Sequence, residues 1–311
     1  MPDQVTIAKK RVLVTGAGGF IGSHLCGKLK ILGAEIHGIS RAERPKVTND
    51  MTWWTSSLQE EDEVHGLLKS IKPDIVYHLS SCVSGSRDPA IVLPIFRSNL
   101  VSTVTLLTAL EKIGCERVVL AGSMEEPDSS QTDLSSISPY AASKWASSIY
   151  GRLFHTLYDL PVVILHVFMV YGPGQMDLKK LVPYVTLSFL RNEAPKLSSG
   201  SRQVDWIYID DVVEGLIFSA QATGISGHTL DIGSGVLTSV RRIVEELRGL
   251  TRTSARPDFK ALDDRPFENV RTADVKSSFK LLGWRSQVNV QEGLRRTVSW
   301  YHEQLSKGER T

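Results

Sequence analysis

The chain has 311 residues, 41% of them hydrophobic and 23% charged, enough for a sizeable core and two lobes. Net charge is +2 with acids and bases interspersed, which gives no electrostatic case for nucleic acid or an anionic membrane as a partner. Cys26, Cys82 and Cys115 form no Cys-x-x-Cys pair, so a reducing, cytoplasmic setting is expected rather than a disulfide scaffold.

The eight histidines show no metal-ligand spacing, so no metal is expected. The opening MPDQVTIAKK lacks the apolar core of a signal peptide, and no apolar run reads as long enough to span a bilayer.

In chain order, RVLVTG (11–16) reads as a buried strand and 20–32 as a helix with Phe20, Ile21, Leu25, Leu29 and Leu32 at apolar spacing. AEIHGIS (34–40) is a second strand and 60–71 a helix. DIVYHLS (74–80) is a third strand, followed by a long helix over 90–113. RVVLAGS (117–123), a helix over 140–158 and PVVILHV (161–167) complete the run. Apolar strands alternating with helices predict an α/β fold, a Rossmann-type doubly wound parallel sheet. The alternation weakens after about residue 170. Residues 1–167, with a returning segment near 203–225, are expected to form the dinucleotide-binding domain. Residues 168–311 are expected to form mainly a smaller, interwoven substrate-binding lobe.

TGAGGFIG joins the first strand to the first helix, with Gly16, Gly19 and Gly22 three residues apart. Glycines at this spacing permit a tight turn, close approach of backbone to a pyrophosphate, and close helix–sheet packing. At the end of the second strand an acidic residue suits NAD and an arginine suits a 2′-phosphate. Here Ser40 stands in the acidic position and Arg41 follows, so NADP(H) is favoured over NAD(H).

In SPYAASK, Ser138 is a natural helix N-cap and Pro139 suits the first turn. Tyr140 and Lys144 then share one face. A free tyrosine has a pKa of about 10, and a lysine one turn away is expected to lower it toward neutrality.

Glycine turn, Tyr-x-x-x-Lys and the intervening Ser123 together resemble the extended short-chain dehydrogenase/reductase family of nucleotide-sugar epimerases, dehydratases and reductases. Further matches are KPDIVYHLSS (72–81), Asn99, VYGPGQ (170–175), DWIYIDDVVEGL (205–216), DIGSG (231–235), LLGW (281–284) and EGLRRTVSWY (292–301). The resemblance implies Tyr140 as acid/base, Lys144 as its electrostatic partner and ribose ligand, and Ser123 as donor to the substrate oxygen. It implies cofactor contacts at Gly16, Gly19, Phe20, Ile21, Gly22, Ser40, Arg41, Ser57, Leu58, Leu79, Ser80 and Ser81, with Ser57-Leu58 standing where Asp-Leu is usual. It also implies substrate contacts at Ser84, Ser86, Met169, Arg202 and Arg265, a nucleotide-diphosphate sugar as substrate, and a homodimer built on the 90–113 and Tyr140 helices.

Several positions depart from the family pattern. Dehydratases often carry Thr-Asp-Glu where this chain has Ser123-Met124-Glu125, and a thioether donates no proton. His166 and Met169 replace the arginine and asparagine of RxFNVYGPG, and Val204 replaces the arginine of RDF. The expected activity is NADP(H)-dependent reduction of a 4-keto NDP-sugar. A 4-epimerase or non-standard dehydratase with retained cofactor stays open, as does a catalytically silent NADP-binding regulator.

Overall fold

The computed structural model describes residues 6–48, 51–127, 137–264 and 270–308. The chain divides into two compact units. The first comprises 1–167, 213–231 and 276–284; the second comprises 168–212, 232–275 and 285–311.

The first unit carries β1 (Arg11–Thr15), β2 (Glu35–Ser40), β3 (Val47–Thr48), β4 (Met51–Thr55), β5 (Ile75–His78), β6 (Arg117–Ser123) and β7 (Val162–Val167). With the strand Thr229–Ile232 they form one sheet, ordered Thr229–Ile232, β7, β6, β5, β1, β2, β4, β3. Every pair from β7 through β4 is parallel, and β3 runs antiparallel to β4. The order reverses between β1 and β5, the crevice where ligands of such sheets bind. β4 went unread in the sequence: MTWWT alternates buried and half-buried residues rather than forming a continuous apolar run.

Helices α1 (Phe20–Ile31), α2 (Glu61–Ile71), α3 (Val92–Ile95), α4 (Ser102–Ile113) and α5 (Pro139–Tyr158) flank the sheet. Val64, Leu67 and Leu68 of α2, Leu106 and Leu110 of α4, and Phe154 of α5 join Leu13, Ile39, Val76, Val118, Leu120 and Ile164 in one buried cluster. Fully burying each such side chain stabilises by roughly 1.5–3 kcal/mol. Gly151 lets α5 sit close to the sheet, because a Cβ there would lie 3.0 Å from Leu120.

The expected long helix at 90–113 is not uniform: α3 passes through a π-helical segment, Phe96–Val101, into α4. Contrary to the sequence expectation, the 25 residues Pro89–Ile113 are long and apolar enough, by length and composition, to match a membrane span. Here Ile95, Leu106, Leu107 and Leu110 are buried in the protein core.

In the second unit, strand Gln203–Tyr208 pairs in parallel with Met169–Tyr171 and antiparallel with Leu237–Ser239. Asp205 is fully buried and accepts from the amides of Ser234, Gly235 and Ala273 at 2.7, 2.9 and 3.1 Å. Asp211 accepts from the amides of Gln287 and Val288. The aspartates of the DWIYIDD motif therefore tie loops to this unit.

Candidate active site

At the β1–α1 turn, Gly16 has φ +70°, where a Cβ would also lie 2.9 Å from the Ser80 amide nitrogen. A Cβ on Gly22 would sit 2.1 Å from the Gly16 carbonyl oxygen, so the turn closes only on glycine. Gly19 begins α1 without a side-chain cap, and the first turn, with Phe20 and Ile21, holds no acid. Its amides are free to meet an anion, and this donor set fits a dinucleotide pyrophosphate. Thr15 Oγ1 accepts from the amides of Leu79 and Ser80 at 3.2 and 3.1 Å, which draws the end of β5 beside the turn. Leu79, Ser80 and Ser81 follow directly.

At the end of β2 the structure brings a different arginine forward. Arg41 is exposed. Arg44 Nε donates to Ser40 Oγ at 3.3 Å, and its guanidinium lies 4.4 Å from the Trp53 ring centroid. A Cβ on Gly18 would come within 2.7 Å of Arg44 Nη2, so this guanidinium sits over the glycine turn. Ser57 and Leu58 follow β4; Leu58 is buried in the core in a left-handed conformation.

The chemical groups gather where β6 ends and α5 begins. Ser138 caps α5 through the Ala141 amide at 3.1 Å, and Pro139 opens it, as the sequence reading expects. Ser123, Tyr140 and Lys144 are all buried. Lys144 Nζ donates to the Ala121 carbonyl at 2.7 Å.

Burial pushes the Tyr140 phenol above its ordinary value; a hydrogen bond with Ser123 works downward and the charges of Glu125 and Glu126 work upward. The expected depression of the tyrosine by lysine is therefore absent, because desolvation dominates. Burial instead lowers Lys144 to about 8, with the Glu126 charge opposing. Buried His78 is lowered to about 3, by desolvation and then by Lys144.

Asn99, in the π-helical segment, connects this site to the loop after β5. Its amide donates to Ser143 Oγ (2.9 Å) and to the Cys82 carbonyl (3.1 Å), and its carbonyl accepts from the Cys82 amide (2.7 Å). In that loop Ser84 and Ser86 accept from the amides of Ser86 and Asp88. A cleft of about 530 Å³ opens at the start of α5, lined by Arg87, Val92, Ile137, Pro139 and Trp145 among others. A second cavity, of about 550 Å³, lies at the opposite ends of the strands beside Arg11 and Asp74, away from these groups.

Sequence reasoning singled out Glu125, and the structure places it half-buried near Tyr140, with its amide donating to Ser123 Oγ at 3.2 Å. The buried carboxylate is its neighbour. Glu126 Oε1 accepts from the Ser123 amide at 2.7 Å, and Oε2 faces His166 Nε2 at 3.2 Å. His166 Nδ1 faces Asp231 Oδ1, also at 3.2 Å. Only the loss of the usual arginine at 166 hinted at this chain of groups. Met124 is buried. Met169 and Arg202 lie in the second unit, and Arg265 lies outside the described residues. No cluster of metal-ligating side chains occurs among the described residues.

Residues 12–233 match the family described as the NAD dependent epimerase/dehydratase family. The chain is 29% identical to a UDP-glucose 4-epimerase of Mycolicibacterium smegmatis, over 94% of this chain and 98% of that one. Its fold matches the epimerase Mth375 of Methanothermobacter thermautotrophicus at TM-score 0.85 and 24% identity, covering 97% and 94% of the two chains. The Bordetella bronchiseptica enzyme WbmF, solved in complex with NAD+ and UDP, matches at TM-score 0.82 and 26% identity, covering 97% and 95%.

Proposed function

The chain belongs to the NAD-dependent epimerase/dehydratase family, of the extended short-chain dehydrogenase/reductase type, and on that premise we propose that it reduces a 4-keto nucleotide-diphosphate sugar with NADP(H). The observation that carries this reading is the gathering of buried Ser123, Tyr140 and Lys144 where β6 ends and α5 begins. Burial holds the Tyr140 phenol above its ordinary value, so it carries the proton that a reduction needs. Gly16, Gly19 and Gly22 of the β1–α1 turn would hold the dinucleotide, which when bound would provide hydride-transfer chemistry.

Tyr140 gives its proton to the carbonyl oxygen as that oxygen gains negative charge, and Ser123 Oγ donates a second hydrogen bond to it. Lys144, charged below about pH 8, stabilises the phenolate left behind. Arg44 and Ser40, rather than Arg41, are the proposed 2′-phosphate contacts, because a guanidinium fixed on Trp53 has less freedom to lose on binding. Gly16, Gly19 and Gly22 are the proposed pyrophosphate contacts.

Dehydration is disfavoured. Met124 stands where the dehydratases' acid is usual, and a thioether donates no proton, so elimination would need Glu125 to act as both base and acid. A 4-epimerase is the second reading, supported by the full-length similarity to the Mycolicibacterium smegmatis enzyme. Chromatography that resolves 4-epimers, coupled to mass spectrometry, of a panel of NDP-sugars and their 4-keto forms, with and without NADPH, separates the two. Turnover of a 4-keto sugar only with added NADPH supports the reductase. Turnover of an ordinary NDP-sugar without added NADPH supports the epimerase.

A homodimer is the proposed assembly. Val92, Leu93 and Phe96 before α4, with Ile149, Leu153 and Leu157 of α5, are exposed apolar residues of the first unit, suited to a paired-helix interface. The double variant Leu93→Glu, Leu153→Glu is expected to be a monomer in light scattering; an unchanged mass would remove this face from the interface.

A further inference from the structure

His166 stands on β7 directly opposite Gly122 of β6. A Cβ on Gly122 would lie 2.7 Å from Glu126 Oε1 and 2.8 Å from His166 Cδ2. The glycine thus leaves the space in which Glu126 and His166 meet. From the other side Asp231 arrives on the strand Thr229–Ile232. Glu126 is 4% exposed and Asp231 8%.

Each ring nitrogen faces a carboxylate oxygen at 3.2 Å. An ionised carboxylate only accepts hydrogen bonds, and a neutral imidazole has one N–H and one lone pair. Both contacts are attractive only when both nitrogens carry hydrogen, unless one acid is protonated instead. A lone pair set against a carboxylate in a buried site costs more than in water.

We propose that His166, as an imidazolium bridging Glu126 and Asp231, is a positioning residue that holds the Ser123 turn in the geometry in which Ser123 meets Tyr140. The link is short: His166 holds Glu126, Glu126 Oε1 holds the Ser123 amide, and Ser123 Oγ serves the phenol.

The electrostatics agree. Burial pushes the Glu126 carboxyl up, yet the hydrogen bond and charge of His166, then Ser148 and the Ser123 amide, bring it below its ordinary value. Glu126 therefore stays ionised and accepting. Among the described residues, the titratable groups around this turn include Glu125 and Glu126 after β6, Asp231 on the edge strand, Tyr140 and Lys144 on α5, and His78 beside Lys144. An imidazolium offsets the Glu126 charge, which would otherwise help hold the Tyr140 proton.

This role in turnover rests on the oxidoreductase reading, whereas the protonation claim does not. The test is ¹⁵N NMR of the histidine side chains in the intact protein at pH 7, with His166→Gln to assign the signal. Both nitrogens of His166 are expected to show hydrogen-bearing shifts; one unprotonated nitrogen would overturn the proposal, whatever the substrate.

The Ser123 amide proton is expected downfield, to move upfield in His166→Gln, and to return in His166→Arg, whose guanidinium has N–H groups for both acids. The loss of one charge-assisted hydrogen bond predicts a kcat lower by roughly 10–100-fold in His166→Gln with KM little changed. His166→Arg should recover kcat to within a few-fold. Equal loss in both variants, with both folded, would reduce His166 to packing.

Discussion

The two ends of the first unit's site are built in different ways. The β1–α1 turn is made of backbone: Gly16, Gly19 and Gly22 leave room, and the first turn of α1 has neither a side-chain cap nor an acid. The Ser123 turn is made of side chains drawn from β6, β7, α5 and the strand Thr229–Ile232. Glu126, His166 and Asp231 meet there although the sequence scatters them. A backbone site tolerates no added atom. A side-chain site depends on which protons its members hold.

The sharpest break of the side-chain half is Tyr140→Phe. It is expected to lower kcat by roughly 10²–10⁴-fold while cofactor binding, followed by fluorescence titration, stays nearly unchanged. Activity near the unmodified level would remove Tyr140 from the mechanism. The matching break of the backbone half is Gly22→Ala. Its Cβ would stand 2.1 Å from the Gly16 oxygen, so a loss of about 2–3 kcal/mol of stability is expected in denaturant unfolding, together with weakened cofactor binding. Unchanged values for both would mean that the turn has room.

The sequence made the backbone half readable because its requirement is local: three glycines at fixed spacing after an apolar strand carry the whole geometric demand. Tyr140, Lys144 and the Ser138 cap were equally legible, being one helix's opening turns. Glu126 was not, since nothing local distinguishes it from Glu125. Which of two adjacent carboxylates turns inward is set by His166, on the neighbouring strand, and by the space at Gly122. The place of Arg44 beside Ser40 and the glycine turn was not legible for a similar reason. Arg41 follows the strand directly, but Arg44 has Trp53 of β4 to stack on, and β4 itself escaped the apolar pattern. The substitution of His166 for the family's arginine was visible; its acidic partners were not.

A smaller effect sharpens the cofactor half. Arg44→Ala is expected to weaken NADP(H) by roughly 10–100-fold and NAD(H) hardly at all, as for loss of a charge-assisted contact to phosphate, with Arg41→Ala much milder. Equal effects of Arg44→Ala on both cofactors would separate this guanidinium from the 2′-phosphate.

The mildest effect is in pH. Lys144 is lowered to about 8, so its ammonium is present below that value and lost as pH rises through it. The kcat profile is expected to fall on the alkaline side of about pH 8. Lys144→Arg, which stays charged, should move that limb upward if it retains activity. A flat profile to pH 10 would place the titration elsewhere.

The central claim is that a carbonyl carbon of the sugar takes hydride while Tyr140 supplies the proton. Mass spectrometry of the product formed from a 4-keto NDP-sugar and NADPH deuterated at the transferred position tests it most directly. One deuterium at sugar C4, with no water lost and with the same labelled product forming roughly 10²–10⁴-fold more slowly in the Tyr140→Phe variant, is the expected result. A product without cofactor deuterium, or one lighter by a water, would contradict it.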